Sequence, residues 1–417
     1  MLIKAREKLK GKRIKIKEKR QKINDQNIWV WLIMKKFLLI FSIFYIILGC
    51  GSHSSFKKEI IGYYPSFRYL KNRKIEDPSL IPFEKLTIIN YAFFAPDSSA
   101  ELKGLDPEAD SILLSGKGSH SIISLAHKKR VKVLASIGGW EDSGLFSFIA
   151  AGSSLTSKFA SECTRIIKQY GFDGIDIDWE YPCYKPHNGK PEDKENFTSF
   201  LSVIRDSLNA LGRQNKNHYL LTAALPATRE HSAGIDVNKV SKILDFLNIM
   251  TYDYHGTWDT VSAHNSPLYA PDKGDKSLCI DSTVKMYHSE LGVPLNKINI
   301  GLPFYGHTYA NCKGLFEPHT GPDTLVFNED FGAVYRNIVT NMHLFDRHLD
   351  KKAKVPYLTG KEFDLFVSYD DSESVKEKCD YVVKNRLRGV IIWEVTGTIM
   401  QDNSTPLLDV IYEKFNK

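Results

Sequence analysis

The sequence lacks the features of several common protein classes. Its 417 residues include only six cysteines, and none has the CxxC spacing of zinc sites and redox-active disulfides. No Gly-rich phosphate-binding turn follows the first predicted strand, and no low-complexity tract occurs beyond the N-terminal segment. With 27 Gly, 17 Pro and 42% hydrophobic residues, the chain is neither collagen-like nor disordered. We therefore expect a globular protein with neither a metal nor a cofactor.

The formal charge of +7 does not indicate a nucleic-acid-binding protein. Residues 1–36 hold 13 of the 56 Lys and Arg residues but only three of the 49 acidic residues. The rest of the chain therefore has 43 basic and 46 acidic residues, and it lacks the clustered positive charge that phosphate binding requires. We expect no nucleic acid among the partners of the folded part.

The N-terminal segment has the pattern of an export signal. Residues 37–49 follow Lys35 and Lys36 and carry no charge, a length typical of a signal peptide and too short for a bilayer span. We interpret residues 1–49 as a basic leader with a signal peptide, and Met34 is a candidate for the true start. The alternative is a short membrane anchor that includes residues 29–34.

The end of this segment resembles the lipobox of bacterial lipoproteins. Ile47-Leu48-Gly49-Cys50 carries the resemblance. It implies an acylated Cys50, a linker over residues 50–58, and an exported protein that is either anchored in the bacterial cell envelope or secreted. The other five cysteines are an odd number, so at most two disulfides form and at least one thiol stays free.

Eight short runs rich in β-branched and aromatic residues alternate with stretches of helical periodicity. Strands that alternate with helices predict a parallel sheet, and eight of them predict a (β/α)8 TIM barrel over residues 59–417. A doubly wound sheet is the alternative, which the missing Gly-rich turn disfavours. The predicted strands are 59–64, 86–94, 131–137, 174–179, 219–225, 246–251, 298–304 and 389–395, and the clearest helices are 154–170, 194–211, 280–291 and 374–385.

The connection between the seventh and eighth predicted strands is too long for one helix and its loops. Loops of this length are rarely without secondary structure inside a compact domain. We therefore predict a small α+β insertion over residues 308–368.

One predicted strand carries a row of acidic residues, in the sequence Phe172-Asp-Gly-Ile-Asp-Ile-Asp-Trp-Glu-Tyr-Pro182. Because strand side chains alternate, Asp176, Asp178 and Glu180 project to one side. Three neighbouring carboxylates repel one another unless they share protons or hydrogen bonds, which indicates a catalytic rather than a purely structural strand. A solvated edge strand or a cation site is the alternative. Asp173 is out of phase with the row, and we expect it and Gly174 to support the structure.

The acidic strand resembles the catalytic strand of glycoside hydrolase family 18, the chitinase family. The resemblance extends from Glu59 to Lys417. The matching motifs are Gly62-Tyr63-Tyr64, Asn90-Tyr91-Ala92-Phe93, Ser136-Ile137-Gly138-Gly139-Trp140, Met250-Thr251-Tyr252-Asp253, Gly301-Leu302-Pro303-Phe304-Tyr305-Gly306, Ser368-Tyr369-Asp370-Asp371 and Trp393-Glu394. The family usually has a short acidic stretch after Trp-Glu, whereas this chain has Val395-Thr396-Gly397-Thr398.

The resemblance implies a substrate-assisted reaction, in which the substrate's N-acetyl oxygen attacks the anomeric carbon and configuration is retained. Glu180 would be the acid, and we expect the nearby Asp178 to raise its pKa. Asp178 would hold the acetamide N–H and stabilise the oxazolinium, Asp176 would share a proton with it, and Tyr252 would hold the acetamide oxygen. The expected substrate-binding and supporting residues are Trp393, Trp140, Asp253, Met250, Tyr63, Ser136, Trp258 and Tyr305.

The resemblance implies a monomeric enzyme that acts on chitin or N-acetylglucosamine oligosaccharides and cleaves their β-1,4 bonds. Two alternatives remain. One is an endo-β-N-acetylglucosaminidase that acts on N-glycans, or a hydrolase of cell-wall glycan. The other is a lectin that binds chitin without cutting it, although such relatives commonly lose the acid that Glu180 supplies.

Overall fold

The computed structural model describes residues 57–114, 120–327 and 332–416, together with residues 10–13, 15–22, 24 and 35. The chain divides into two units, residues 1–56 and 57–417. The described residues of the first unit are helical. The predicted apolar core of the signal peptide and Cys50 lie outside the described residues. No described helix has the length and hydrophobicity that crossing a bilayer would require.

The second unit is a closed barrel of eight parallel strands. Each predicted strand is present, with bounds that differ by at most two residues from those that the sequence indicates. The barrel closes because the first strand pairs with both the second and the last. The strands, in their order around the barrel, are β1 (Glu59–Pro65), β2 (Ile88–Pro96), β4 (Lys132–Gly138), β5 (Gly174–Asp178), β6 (Leu220–Pro226), β7 (Phe246–Met250), β8 (Ile298–Pro303) and β13 (Gly389–Trp393); β3 (Leu102–Gly104) pairs antiparallel with β2.

Helices surround the barrel and cover its outer face. The two longest helices, Ser153–Tyr170 and Asp193–Asn215, have one apolar stripe each and end at a residue in the left-handed conformation, Gly171 and Lys216. The α-helices are α1 (Arg73–Glu76), α2 (Pro107–Leu114), α3 (Ile122–Lys128), α4 (Phe146–Ala151), α5 (Ser153–Tyr170), α6 (Asp193–Asn215), α7 (Arg229–Ser232), α8 (Val237–Ile243), α9 (Ile280–Lys285), α10 (Tyr335–Thr340), α11 (Ser372–Lys384) and α12 (Pro406–Phe415). A π-helical turn, Met286–Glu290, extends α9, and 3-10 turns lie at Ser66–Arg68, Pro78–Leu80, Phe83–Lys85, Lys185–His187, Leu295–Lys297, Met342–Leu344 and Val395–Thr398.

An α+β insertion lies between the seventh and eighth barrel strands, β8 and β13, as predicted. It contains α10 and a four-stranded antiparallel sheet with a small core of its own around Tyr309, Cys312 and Phe366. Its strands are β9 (His307–Ala310), β10 (Phe345–Asp350), β11 (Val355–Gly360) and β12 (Leu365–Ser368), in the order β10-β11-β12-β9. The fold is therefore a (β/α)8 TIM barrel with this insertion.

The barrel strands divide their side chains between two cores. One face packs against the surrounding helices, and the other fills the barrel interior with residues such as Ile61, Leu134 and Ile391. The five described cysteines, Cys163, Cys183, Cys279, Cys312 and Cys379, are all free thiols. The part of the chain that the structure describes is therefore held together by packing and hydrogen bonds rather than by disulfides.

Barrel closure yields a test of the fold. A Cβ added to Gly389 would lie 2.0 Å from the backbone oxygen of Glu59, at the pairing that closes the barrel. We expect Gly389→Ala to lower the free energy of unfolding by about 1–3 kcal/mol, because the strands must separate to admit the methyl group. Urea unfolding would measure the loss. Gly314→Ala is the control, since nothing lies within 4 Å of its added Cβ. Equal losses of stability in the two variants would contradict the close pairing of β1 with β13 at Gly389.

Candidate active site

The acidic row lies inside the barrel at the carboxyl end of β5. Asp176 is 0% exposed and Asp178 is 4% exposed, and Glu180 follows two residues later. Trp179 points the other way and packs against aromatic rings of α4 and α6. The alternation of the strand therefore separates the carboxylates from the outer hydrophobic core.

Asp176 is held by four hydrogen-bond donors from four different barrel strands. Tyr63 Oη and Ser136 Oγ donate to its Oδ2 over 2.8 and 2.9 Å. Thr222 Oγ1 donates to Oδ1, as does Asn248 Nδ2 over 3.1 Å. Burial raises the pKa of Asp176, and these hydrogen bonds, led by that of Thr222, oppose the rise. Asp176 is thus a fully buried carboxyl that four side-chain donors compensate.

Sequence reasoning identified Tyr63 and Ser136 but missed Thr222 and Asn248. Each is a single polar residue on an otherwise apolar strand, and this pattern is the signal by which the sequence marks them. Asn299 on β8 extends the same network, because its Nδ2 donates to Asn248 Oδ1 over 3.0 Å. A polar residue at the same depth on neighbouring barrel strands indicates a shared partner in the interior.

Asp178 has the opposite environment. Its Oδ1 is buried and has no hydrogen-bond partner among the described residues. Burial raises its pKa well above the ordinary value, and the negative charges of Glu180 and Asp176 add to the rise. A buried acceptor without a donor is costly, so this oxygen is a natural place for a ligand donor.

Glu180 has the pKa of a proton donor near neutrality. Burial raises its pKa to about 7, and the charge of Asp253 adds to the rise, while a hydrogen bond with the Tyr181 side chain lowers it. From the sequence we expect Asp178 to raise the pKa of Glu180. The structure shows the reverse effect, in which the charge of Glu180 raises the pKa of Asp178. The backbone N–H of Glu180 donates to Ser143 Oγ over 2.9 Å, and this hydrogen bond holds Glu180 against the loop after β4.

Tyr252 lies beside the acidic row, at the end of β7. The tyrosine is 9% exposed, and burial together with the charge of Asp178 raises its pKa well above the ordinary value. Its hydroxyl therefore stays protonated and can donate a hydrogen bond. Its neighbour Met250 packs into the barrel interior. Gly301 makes room for the ring, because a Cβ there would lie 2.6 Å from the Tyr252 ring.

Asp253 faces the cleft from the same loop and has a left-handed backbone, with φ of 54°. Tyr305 Oη donates to its Oδ1 over 2.6 Å, and His307 Nε2 lies 2.7 Å from the same oxygen. Its backbone N–H donates to Asn265 Oδ1 over 2.8 Å. Sequence reasoning identified Tyr305 but missed His307 and Asn265, which come from distant parts of the chain.

Trp393 ends β13 and lies over the mouth of the barrel. Its ring stacks on Phe93, with centroids 5.7 Å apart, and touches Tyr63 at 5.8 Å. Since Tyr63 also donates to Asp176, the tryptophan and the acidic row share a supporting residue.

Two more tryptophans from the predicted set are exposed. Trp140 is 48% exposed and contacts His187 at 4.5 Å, and His187 Nδ1 lies 2.6 Å from the Glu180 backbone oxygen. Trp258 is 64% exposed and meets His307 edge-on at 5.4 Å. Neither is a core residue, so their exposed faces are available to a ligand.

Asp173 and Gly174 lie at the other end of β5, away from the row. The Asp173 side chain accepts a hydrogen bond from the Val133 backbone N–H over 2.8 Å, and His127 Nε2 lies 2.8 Å away. A Cβ on Gly174 would lie 2.2 Å from the Leu220 backbone oxygen. These contacts connect neighbouring strands. Among the described residues, no group of three or more His, Cys, Asp and Glu side chains is arranged to hold a metal ion.

The site therefore combines a proton donor that titrates near neutrality, a neutral tyrosine hydroxyl and exposed aromatic faces with a buried oxygen to which no described residue donates. This set suits the cleavage of an acetal bond between sugars, where the leaving oxygen needs a proton and the anomeric carbon needs stabilisation.

Comparison with known proteins agrees with this chemistry. Residues 59–397 match the glycosyl hydrolases family 18. Chitinase A1 of Niallia circulans is 37% identical over 284 residues, which cover 64% of this chain and 40% of that enzyme. Chitinase B of Serratia marcescens is 29% identical over 438 residues, covering 87% and 85% of the two chains.

Solved structures show the same likeness. The Group IV chitinase of Ostrinia furnacalis has a TM-score of 0.77 at 28% identity, covering 86% of this chain and all of that chain. Chitinase ChiA74 from Bacillus thuringiensis has a TM-score of 0.76 at 29% identity, covering 86% and 70%. The barrel, the placement of its acidic row and these matches lead to one conclusion: the chain belongs to family 18 of the glycosyl hydrolases.

Proposed function

We propose that this family 18 glycosidase is a chitinase that cleaves β-1,4-linked N-acetylglucosamine polymers with retention of configuration, assisted by the substrate's own acetamide. The observation that carries the proposal is the buried Asp178 Oδ1, which lies in one row with Glu180 and has no donor within the part of the chain that the structure describes. A substrate acetamide N–H would supply that donor. The chitinases among the relatives support chitin as the substrate class.

Glu180 is the proposed general acid. With a pKa raised to about 7, it is protonated at mildly acidic pH and can donate its proton to the leaving oxygen. Once ionised, it would take a proton from the water that opens the oxazolinium, so the same carboxyl serves both steps.

Asp178 and Tyr252 are the proposed partners of the acetamide. Asp178 would accept the acetamide N–H, and its negative charge would stabilise the oxazolinium after its proton passes to Asp176. Tyr252 would donate its hydroxyl hydrogen to the acetamide oxygen, which orients that oxygen toward the anomeric carbon. The hydroxyls of Tyr63, Ser136 and Thr222 support this role, because a hydroxyl that donates to the ionised carboxylate can turn to accept from the protonated carboxyl.

The remaining residues of the site have proposed roles in sugar binding. Trp393 would form the floor of the cleavage subsite, and Trp140 and Trp258 would stack on further sugar rings. Asp253, held by Tyr305, would position a sugar and adjust the pKa of Glu180. The insertion would deepen one wall of the cleft and favour long chains.

The exact glycan is a separate part of the proposal. Product analysis on chitin and on a glycoprotein with N-glycans distinguishes a chitinase from an endo-β-N-acetylglucosaminidase, and isolated cell-wall glycan is the third substrate. We expect N-acetylglucosamine oligomers from chitin. Release of N-glycans alone, or tight oligosaccharide binding without turnover, would contradict the proposal.

We also propose that the protein is exported as a bacterial lipoprotein and acts as a monomer. The proposal is supported by the uncharged stretch 37–49 and the lipobox-like residues before Cys50. An acyl-anchored enzyme would act on polymer at the cell envelope, and a signal peptide cut without acylation would release it.

Replacement of Glu180 tests the acid role. We expect Glu180→Gln to lower kcat on chitin oligosaccharides by about 10²–10⁴-fold, because Gln cannot donate the proton, while oligosaccharide binding persists. Reducing-end release and calorimetry measure the two effects. The exposed Glu362→Gln on the insertion is the matched control and should leave kcat unchanged. Turnover that survives Glu180→Gln would remove Glu180 from this role.

The raised pKa of Glu180 predicts the pH profile. Because the acid must be protonated, kcat/KM should be maintained below pH 7 and fall about tenfold per pH unit above it. Asp253→Asn removes a negative charge that raises this pKa, so the alkaline limb should move to lower pH. Asp346→Asn, exposed on β10, should leave the limb in place. If Asp253→Asn leaves the alkaline limb at the same pH, the charge of Asp253 does not raise the pKa of Glu180.

Mass spectrometry tests the export proposal on protein expressed with its full leader in a bacterial host. We expect a mature N-terminus at an acylated Cys50 and recovery in the membrane fraction. Cys50→Ser should abolish acylation, and the protein should then be absent from the membrane fraction. An unprocessed Met1 terminus would contradict the lipoprotein assignment.

A further inference from the structure

A second buried group of charged residues lies next to Trp393, outside the acidic row. We call it the rim cluster; its members come from the segment after β1, from α1, from α10 of the insertion and from the turn after β13. The side chains of its charged members are between 1% and 12% exposed. The rim cluster consists of Arg68, Glu76, Arg336, Glu394 and Thr396.

The hydroxyl of Thr396 lies between two carboxyl groups. Its Oγ1 is within hydrogen-bonding distance of Glu76 Oε2 and of Glu394 Oε2. A hydroxyl has one hydrogen, and ionised carboxylates only accept hydrogen bonds. Thr396 can donate to one carboxylate only, so the second contact requires a carboxyl that is itself protonated and donates to Oγ1. The geometry therefore places one proton on this pair of acids.

The hydrogen bonds identify Glu394 as the anion of the pair. Its Oε1 accepts from Arg68 Nη1 over 2.6 Å, and its Oε2 accepts from the Thr396 backbone N–H over 2.8 Å. Glu76 is less well paired, since its Oε1 lies 3.3 Å from Arg336 Nη2. The proton therefore belongs to Glu76.

The charges that face Glu76 agree with this assignment. Burial raises the pKa of Glu76 to about 7, and the negative charge of Glu394 adds to the rise. The Thr396 hydroxyl and the positive charges of Arg336 and Arg68 lower it. Tyr64 Oη donates to the Glu76 backbone oxygen over 2.6 Å, and burial raises the pKa of that tyrosine, so it brings no charge.

The rim cluster is in contact with the turn that directly follows Trp393. Glu394 is the next residue, and the Trp393 backbone oxygen accepts from the Phe304 N–H over 2.8 Å. The turn Val395–Thr398 is tightly packed, because a Cβ on Gly397 would lie 2.7 Å from the Phe304 oxygen. Arg336 Nη1 donates to the Thr396 backbone oxygen over 2.9 Å and joins the insertion to this turn.

We propose that Glu76 is a positioning residue, which in its neutral form donates through Thr396 to Glu394 and thereby fixes Trp393 and connects it to the insertion. The proposal rests on the proposed role of Trp393 as the floor of the cleavage subsite. Ionisation of Glu76 removes the hydrogen that this carboxyl donates to Thr396. The chain of hydrogen bonds from Glu76 to Glu394 is then broken, and Trp393 is positioned less firmly as the pH rises.

Two amide substitutions in the full-length chain distinguish the two acids. Glu76→Gln keeps a donor toward Thr396, so kcat/KM on chitin oligosaccharides at pH 6 should fall less than about threefold. Glu394→Gln removes the anion that Arg68 binds, so KM should rise about tenfold with a smaller change in kcat. Equal losses in the two variants would overturn the proposal.

A thermal readout tests the proton without any substrate. The stabilisation from neutral Glu76 is present below the ordinary glutamate pKa and is lost as pH rises through about 7. Glu76→Gln has no such loss, so its Tm relative to the unmodified protein should increase by at least about 2 °C between pH 5 and pH 8. A difference that does not change with pH would overturn the proposal.

Thr396 supplies a further pair of variants if Glu394→Gln fails to fold. Thr396→Ser keeps the bridging hydroxyl and should keep KM, whereas Thr396→Val removes the bridge and should raise KM. The pH-dependent Tm difference between Glu76→Gln and the parent should persist in the Thr396→Val background, because burial and the charge of Glu394 still raise the pKa of Glu76. A raised KM in both Thr396 variants would contradict the proposal that the Thr396 hydroxyl bridges the two acids. Because the thermal measurement needs no turnover, a protein that does not cleave chitin would refute the proposed function and still report on Glu76.

Discussion

The structure depends on the burial of carboxyl groups inside a closed barrel. Asp176 and Asp178 are removed from water on the same strand, and Glu180 follows them at the mouth. Burying such groups is costly unless hydrogen bonds or protons compensate. The barrel compensates unevenly: among the described residues, Asp176 has four donors and Asp178 Oδ1 has none. This asymmetry makes Asp178 Oδ1 the oxygen of the row that is open to a ligand donor.

The same low-polarity surroundings give the carboxyls their chemical character. Burial is the principal cause of the raised pKa at Asp178 and at Glu180, and the negative charges of neighbouring acids add to it. Tyr252 stays protonated for the same reason. A closed sheet therefore supplies proton donors and a hydroxyl donor near neutral pH, which suits the acid catalysis of a glycosidase.

The rim of the barrel joins the insertion to the site. Trp393 packs on Phe93 and Tyr63, and Tyr63 donates to Asp176, so this tryptophan and the acids share a supporting residue. On the other side, the rim cluster connects the turn after Trp393 to Arg336 of α10. The insertion is thus tied to the barrel by buried ionic and hydrogen-bonded contacts as well as by chain connectivity.

The sequence by itself determined the barrel, the position of the insertion and the acidic row, because strand alternation and helical periodicity are local properties that a linear pattern records. Only the tertiary structure decided which side chains meet in the interior. Thr222, Asn248, His307 and the pairing of Glu76 with Glu394 come from segments far apart in the chain, and no local pattern states that they converge. The division of hydrogen bonds and charge among the carboxyls, and therefore their pKa values, follows from that convergence.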